Sequence, residues 1–359
     1  MNVVVVGGGV IGLSVAWRLS SEHEVTLVDP RPAGGASWVA GGMLAPVTEA
    51  WPGEEDLLEL GSASLASWPG FAADLGLDLD TRGTIVAAAD GADAGQLDTL
   101  AEFLAGRGRE VERLSGRELR RVEPSLGPNV RSGLIVPGDL AVDNRELLRL
   151  LSSRAHEAGV EFIGEAAASV TSGVVELASS TLRCDLAVIA AGAWSGALHP
   201  ALAGAVRPVK GEILRLRARQ NALPPPTHTV RAMVESRAVY LVPRAGDELV
   251  VGATQYEAGF DEEVTAGGVR DLLNLAERVV PGVVEYTLTE CAAGLRAGSR
   301  DNLPLIGSLG PGVVVAAGHH RNGLLLAPIT AEAVRAMAAG REEPLVKVAD
   351  PARLTGGTA

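Results

Sequence analysis

Apolar residues recur along this chain in two rhythms, and the points where one gives way to the other mark its elements. Val3 to Val6 form a short β-branched run that stops at Gly7, Gly8 and Gly9. Val10, Ile11, Leu13, Val15, Ala16 and Leu19 then recur at helical spacing to about Ser21, and Val25 to Val28 form a second apolar run ending at Asp29. This order predicts strand, glycine turn, helix, strand. Helices are predicted over 57–68, closed by Pro69 and Gly70, over 96–105, and over 116–122, where Ser115 and Glu118 stand at the capping-box offset. Residues 83–89 and 134–136 read as strands between them. An amphipathic helix over 144–158 follows, with Leu147, Leu148, Leu151 and Ala155 on one face.

The second half is richer in strands. Short ones are predicted over 160–163, 167–170, 174–177, 181–182 and 186–190, the last ending in Ala191-Gly192-Ala193. Residues 207–217, 239–243 and 248–253 give further strands, broken by the Pro224-Pro225-Pro226 loop. A helix over 272–280, a strand over 313–317 and a terminal helix over about 324–339, stopped by Gly340, complete the chain. Strand-helix units at both ends and β-rich sequence between them predict an α/β fold. A discontinuous Rossmann-like domain (1–81, 139–206 and 299–345) would enclose a mainly antiparallel-sheet substrate domain (82–138 and 207–298). Residues 346–359 form a tail, with 356–359 expected to be disordered.

Composition narrows the chemistry. The 359 residues are 47% hydrophobic, enough for a large buried core, and the net charge of −13 is spread over scattered acids. That balance argues against a nucleic-acid partner. Cys184 and Cys291 are the only cysteines and lie far apart, so neither a disulfide framework nor a metal-ligand spacing is present. A glycine-interrupted first strand without a cationic leader, and no apolar run of membrane-spanning length, predict a cytoplasmic protein without membrane association.

Gly7, Gly9 and Gly12 stand at the G-x-G-x-x-G spacing. The first permits the tight turn, the second lets a pyrophosphate approach the backbone, and the third lets helix and strand pack closely. Asp29, at the end of the second strand, can accept ribose hydroxyl hydrogen bonds. The glycine-rich loop that follows, to Pro46, is expected to line the ligand crevice, and the small residues around Gly192 allow a second close approach. Arg296 has the geometry to hold a carboxylate through two parallel hydrogen bonds, and Tyr240 could add a phenolic donor. A structural ion pair of Arg296 with Glu290 or Asp301 is the competing reading. Arg321 could serve a ligand or a neighbouring acid. The adjacent His319 and His320 have no third metal ligand, and Lys210 reads as a surface or domain-junction lysine.

Several segments go beyond a generic strand-helix-strand unit. In order they are 3–29, Ala40-Gly41-Gly42-Met43-Leu44, 190–195, Tyr240-Leu241-Val242-Pro243, Gly252-Ala253-Thr254, Ala293-Gly294-Leu295-Arg296, and 318–328 beginning Gly318-His319-His320-Arg321-Asn322-Gly323. Together they resemble the FAD-dependent D-amino-acid oxidase superfamily, most closely the glycine oxidases of thiamine biosynthesis, from the first strand to the last helix. The resemblance implies non-covalent FAD contacted by Val10, Ile11, Asp29, Pro30, Ala36, Ser37, Gly41, Gly42, Met43, the backbone near Ala168, His319, His320, Arg321, Asn322, Gly323, Leu324 and Leu325. Asn322 and Gly323 would open the last helix and turn its positive end toward the flavin.

The same resemblance implies that Arg296, Arg321 and Tyr240 bind the substrate carboxylate and serve catalysis, with Gln255 in the pocket where some glycine oxidases have methionine. Asp29 is one methylene shorter than the glutamate common there, and Ala238 replaces a polar residue of some members. The implied reaction is oxidation of glycine, sarcosine or small D-amino acids by oxygen, giving imine or glyoxylate, ammonia and hydrogen peroxide. The imine would supply thiazole formation, and the enzyme would be a homo-oligomer, as a tetramer. Two other readings stand beside it: a D-amino-acid or proline dehydrogenase passing electrons to a quinone or carrier, and a flavin-binding regulatory protein without turnover.

Overall fold

The opening apolar run is apolar on both faces because both faces are covered. In the computed structural model, which describes residues 1–354, strand Asn2–Val6 sits inside a six-stranded sheet. The strand order is Leu305–Gly310, Val313–Ala317, Leu186–Ile189, Asn2–Val6, Glu24–Val28, Glu161–Ile163. Neighbours run parallel except for the first two, which form an antiparallel pair. Val3 and Val5 face a core built with helices Val10–Leu19, Asn144–Glu157 and Ala327–Ala338. Val4 and Val6 face the opposite core, roofed by the small sheet Ala167–Thr171, Val174–Leu177 and Thr181–Arg183. Side chains alternate across a strand, so burial on both sides leaves no polar position in the run.

The second large sheet has eight strands, in the order Thr287–Gly298, Arg207–Arg217, Glu248–Gly252, Arg237–Arg244, Thr229–Val234, Thr84–Ala88, Ser132–Val136, Glu112–Ser115. All pairs are antiparallel except Thr229–Val234 with Thr84–Ala88. Helix Ala266–Val279 packs Leu272, Leu275, Ala276 and Val279 against one face of it.

Several elements depart from the sequence reading for identifiable reasons. Helix Glu55–Leu75 runs through Pro69 and Gly70 and stops at the left-handed Gly76. Pro69 lies on the exposed face, where water can satisfy the carbonyl its ring leaves unpaired, while Trp68, Phe71, Ala72 and Leu75 continue the buried face. The helix expected to start near Gln96 starts at Gly91, because Asp90 accepts from the Ala92 and Asp93 N–H groups. The terminal helix begins at Ala327, not near Leu324, and residues His320–Asn322 form a 3-10 turn instead. Pro328 lacks an N–H and fits only the first turn, and the Ala327 N–H bonds the Leu324 carbonyl at 3.2 Å in a tighter turn. The long helix end expected to face a flavin is therefore not at Asn322.

Strands Thr229–Val234, Glu112–Ser115, Thr287–Gly298 and Leu305–Gly310 were not among the predicted elements. Residues 344–354 form two 3-10 turns with Val346 and Ala349 buried. The expected disorder of 356–359 lies outside the described residues.

Candidate active site

Two cavities lie along the seam between the large sheets, and both are lined by Ala36 and Ser37. The larger, of about 280 Å³, lies at the carboxyl ends of the parallel strands. Gly7, Gly9, Asp29, Pro30 and Gly192 line it, with Ala190, Ala191 and Trp194 beside them. Gly7 adopts φ +111°, and a Cβ there would overlap the Ala190 carbonyl, so only glycine permits this turn. Gly12 does not line the cavity: a Cβ at Gly12 would fall on the Gly7 carbonyl, which is the close helix-strand packing the motif requires. Asp29 accepts from the Gly8 N–H through Oδ2 and from the Arg31 N–H through Oδ1, both at 2.6 Å. The acid therefore fixes the glycine turn, and each oxygen keeps a further lone pair toward the cavity it lines.

The smaller cavity, of about 120 Å³, takes Val10, Ala36, Ser37, Gly41, Gly42 and Met43 from the nucleotide side and Tyr240 and Arg296 from the sheet side, with His320, Arg321, Gly323 and Leu324 closing it. Tyr240 is held flat: a Cβ at either Gly41 or Gly252 would overlap its ring. No hydrogen-bond partner for its hydroxyl is found among the described residues, and burial pushes its pKa up, so the phenol stays protonated.

The two arginines differ. Among the described residues Arg296 has no acidic partner, and its only hydrogen bond runs from Nη1 to the Thr254 carbonyl at 3.3 Å. The acids that could have claimed it are engaged elsewhere: Glu290 with Arg145 at 2.6 Å and Asp301 with Arg353 at 2.8 Å. Arg321 is paired twice, with Glu54 at 2.9 Å and Glu49 at 3.3 Å. Its guanidinium serves these neighbouring acids while lining the same cavity as Arg296.

Other expected residues lie off the cavities. Gln255 is exposed and outside both linings, because Thr254 turns its hydroxyl toward Glu212 and the next side chain faces out. Ala168 is the unpaired residue of a β-bulge and is exposed; Ala166 and Ala167 line the larger cavity instead. Ile11 is buried in the helical core, and Asn322 and Leu325 line a separate small cleft. His319 is buried with Nε2 3.0 Å from Thr330 Oγ1, and burial lowers its pKa to about 3, so it is neutral.

Residues missed from sequence are an acid on the wall of the smaller cavity and its basic partner. Glu49 lines it and pairs with Arg231 at 2.6 Å. Arg231 pairs across strands with Tyr240, and the alternation of Val230, Ala232 and Val234 could have placed it. Behind them Asp139 is fully buried beside Thr48 and Arg231, and desolvation raises its pKa to about 7.

The residues fit a dinucleotide cofactor spanning both cavities. Helix Val10–Leu19 begins at Gly9 with no acid in its first turn; the Val10 N–H donates to Ser37 Oγ at 3.1 Å, and the N–H groups of Ile11 and Gly12 are left as donors for a phosphate. At the other end His320, in the left-handed region at φ +48°, lines the smaller cavity with a buried Nδ1 that has no partner among the described residues. Burial first, then Arg321 and Arg296, lower its pKa to about 3, so the ring is neutral. Among the described residues no cluster of acids, histidines or cysteines could hold a metal.

A family model described as DAO, FAD dependent oxidoreductase, matches residues 2–337. A glycine oxidase of Geobacillus kaustophilus is 32% identical over 348 residues, covering 92% of this chain and 90% of that protein. A ThiO-type thiamine biosynthesis oxidoreductase of Rhizobium etli is 34% identical over 334 residues, covering 92% and 94%. The crystal structure of glycine oxidase from Geobacillus kaustophilus matches with a TM-score of 0.90 at 32% identity, over 97% of both chains.

Proposed function

The chain belongs to the FAD-dependent oxidoreductase family DAO, and from that premise we propose that it is a glycine oxidase. The reaction converts glycine, water and oxygen to glyoxylate, ammonia and hydrogen peroxide by way of the imine, with sarcosine and small D-amino acids as further substrates. Bound FAD supplies the two-electron acceptor. In this reading Gly7, Gly9, Asp29, Pro30 and Gly192 hold its nucleotide half, while the 41–43 loop and the turn around His320 hold the ring end.

The observation that carries the reading is Arg296: a guanidinium without an acidic partner among the described residues, facing a cavity of about 120 Å³. Its paired N–H groups hold the substrate carboxylate, each charge-assisted contact worth roughly 1.5–3 kcal/mol. The protonated Tyr240 hydroxyl donates a further bond to the same anion. Glu49 offsets the positive charge of Arg231 and Arg321, leaving Arg296 as the cation free for the carboxylate. Shared with the flavin ring, the smaller cavity leaves room for a substrate with little or no side chain. An amine that enters neutral and gives up hydride directly requires no acid-base residue at the α-carbon.

Thiazole formation as the fate of the imine, a tetrameric assembly and a cytoplasmic site belong to the same proposal, as do the domain boundaries given above. Among the described residues no helix is long and apolar enough to cross a membrane. Light scattering tests the assembly. Acid precipitation tests the non-covalent flavin, which is expected in the supernatant.

The deciding experiment mixes the purified flavoprotein anaerobically with glycine, records the flavin spectrum, then admits oxygen and assays peroxide. Bleaching followed by rapid recolouring with peroxide is expected. Slow recolouring in oxygen would mark a dehydrogenase, and no bleaching with glycine, sarcosine or D-alanine would overturn the substrate assignment.

A further inference from the structure

Strand Arg207–Arg217 buries two charged side chains next to the substrate cavity: Lys210 is 1% exposed and Glu212 0%. Alternation puts both on one face of the strand and Gly211, between them, on the cavity face. A Cβ at Gly211 would fall on the Arg296 guanidinium, so the missing side chain is what lets Arg296 lie across the strand.

On the opposite face Lys210 and Glu212 stitch down the segment 254–265. Lys210 Nζ lies 2.6 Å from Asp261 Oδ2 and 3.8 Å from Glu212 Oε1, and the Lys210 and Tyr256 backbones exchange hydrogen bonds at 2.9 and 3.0 Å. Glu212 accepts the Thr265 N–H at 2.8 Å and the Thr254 hydroxyl at 3.2 Å, while the Glu212 N–H donates to Thr254 Oγ1 at 2.9 Å. The Thr254 N–H closes the set on the Glu212 carbonyl at 3.2 Å. Thr254 is thus fixed by three bonds to one residue, and its carbonyl is the sole hydrogen-bond acceptor of Arg296 among the described residues.

Buried charge of this kind contributes little net stability, because desolvation offsets the attraction, but it holds a geometry. We propose that Lys210 and Glu212 are positioning residues that fix the Thr254 carbonyl and thereby orient the Arg296 guanidinium toward the substrate carboxylate. This inference rests on the reading of Arg296 as the carboxylate-binding group. It assigns a role in substrate binding to a lysine that never meets the substrate.

The test is calorimetric titration of the holoenzyme with acetate, a carboxylate without an amine, in wild type, Arg296→Met, Lys210→Met and Asp261→Asn. Flavin content, glycine KM and kcat are measured beside it. Losing the stitch should weaken acetate binding about tenfold in Lys210→Met and about threefold in Asp261→Asn, since small misplacements of an orienting group are costly. Glycine KM should rise in parallel, with kcat within about twofold and flavin content unchanged; a merely structural role would lower kcat and flavin content together. Asp261 is at the surface, so Asp261→Asn decides the matter even if Lys210→Met does not fold. Wild-type acetate affinity in Asp261→Asn, with Arg296→Met weakened, overturns the inference. Wild-type affinity in Arg296→Met overturns the reading of Arg296 instead.

Discussion

The two ends of the site are built on different principles. The larger cavity is lined mostly by backbone and small residues from the ends of parallel strands, 6–9, 28–37 and 190–194, and its shape follows from where glycine is. The smaller cavity is walled by long side chains from positions far apart in the chain, Tyr240 and Arg296 from the mixed sheet and Glu49 and Arg321 from turns. A backbone-lined site is a local property of sequence. A side-chain site becomes definite only when it is known which acid each base has already taken.

The largest effect should come from the backbone end. Gly7→Ala places a Cβ against the Ala190 carbonyl at a φ of +111° that L-residues avoid, so the turn must open. The purified variant is expected to carry no flavin and show no activity. Full flavin content by absorbance would break the contrast between the two ends. Next comes Arg296→Met, which removes two charge-assisted bonds and should lower kcat/KM by about 10²–10⁴-fold while flavin content stays at wild type. Arg321→Met should fall well short of that in KM, because its guanidinium is already spent on Glu49 and Glu54. Equal losses in the two variants would return Arg321 to the substrate.

The same division explains what the sequence disclosed. The strand-helix-strand opening, the 207–217 and 313–317 strands and the Ser115-Glu118 capping box depend on neighbours in the chain, and the structure shows them as read. Pro69 was misread because a local rule ends helices at proline, whereas the buried Trp68 and Phe71 on the opposite face hold this helix together. Arg321 and Gln255 were assigned to substrate by resemblance alone. Whether a guanidinium is free depends on Glu49 and Glu54, hundreds of residues away, and no spacing in the sequence shows that pairing. Arg231 was missed because its strand was not recognised, and with it went the ion pair to Glu49.

A moderate effect is expected behind the side-chain wall. Burial raises the Asp139 pKa from 3.8 to about 7, against the partial opposition of Thr48 and Arg231. Between those pH values the folded state binds more protons than the unfolded one, so Asp139 lowers stability progressively as pH rises from about 4 to 7, and the full cost persists above. At about 1.4 kcal/mol per unit the cost is bounded at roughly 4 kcal/mol. The amide of an asparagine has no proton to lose in this range, so the advantage of Asp139→Asn in thermal unfolding should be small at pH 5 and largest at pH 8. An advantage that does not change with pH would show that the carboxyl is not held protonated by burial.

The smallest effect sharpens the boundary of the smaller cavity. Gln255 follows a threonine whose hydroxyl is committed to Glu212, and the Tyr256 backbone pairs with Lys210, so the segment has no freedom to rotate the Gln255 side chain inward. Gln255→Met restores the residue some glycine oxidases carry there, yet it changes an exposed side chain outside the lining. Glycine KM should stay within about twofold, the scale of an ordinary surface substitution of about 0.5 kcal/mol. A change of about tenfold, or a shift of preference from glycine toward sarcosine, would mean that segment 254–265 swings over the cavity when substrate binds. Thr254 could not then be the fixed support on which Arg296 is oriented, so this silent substitution also probes the stitched segment.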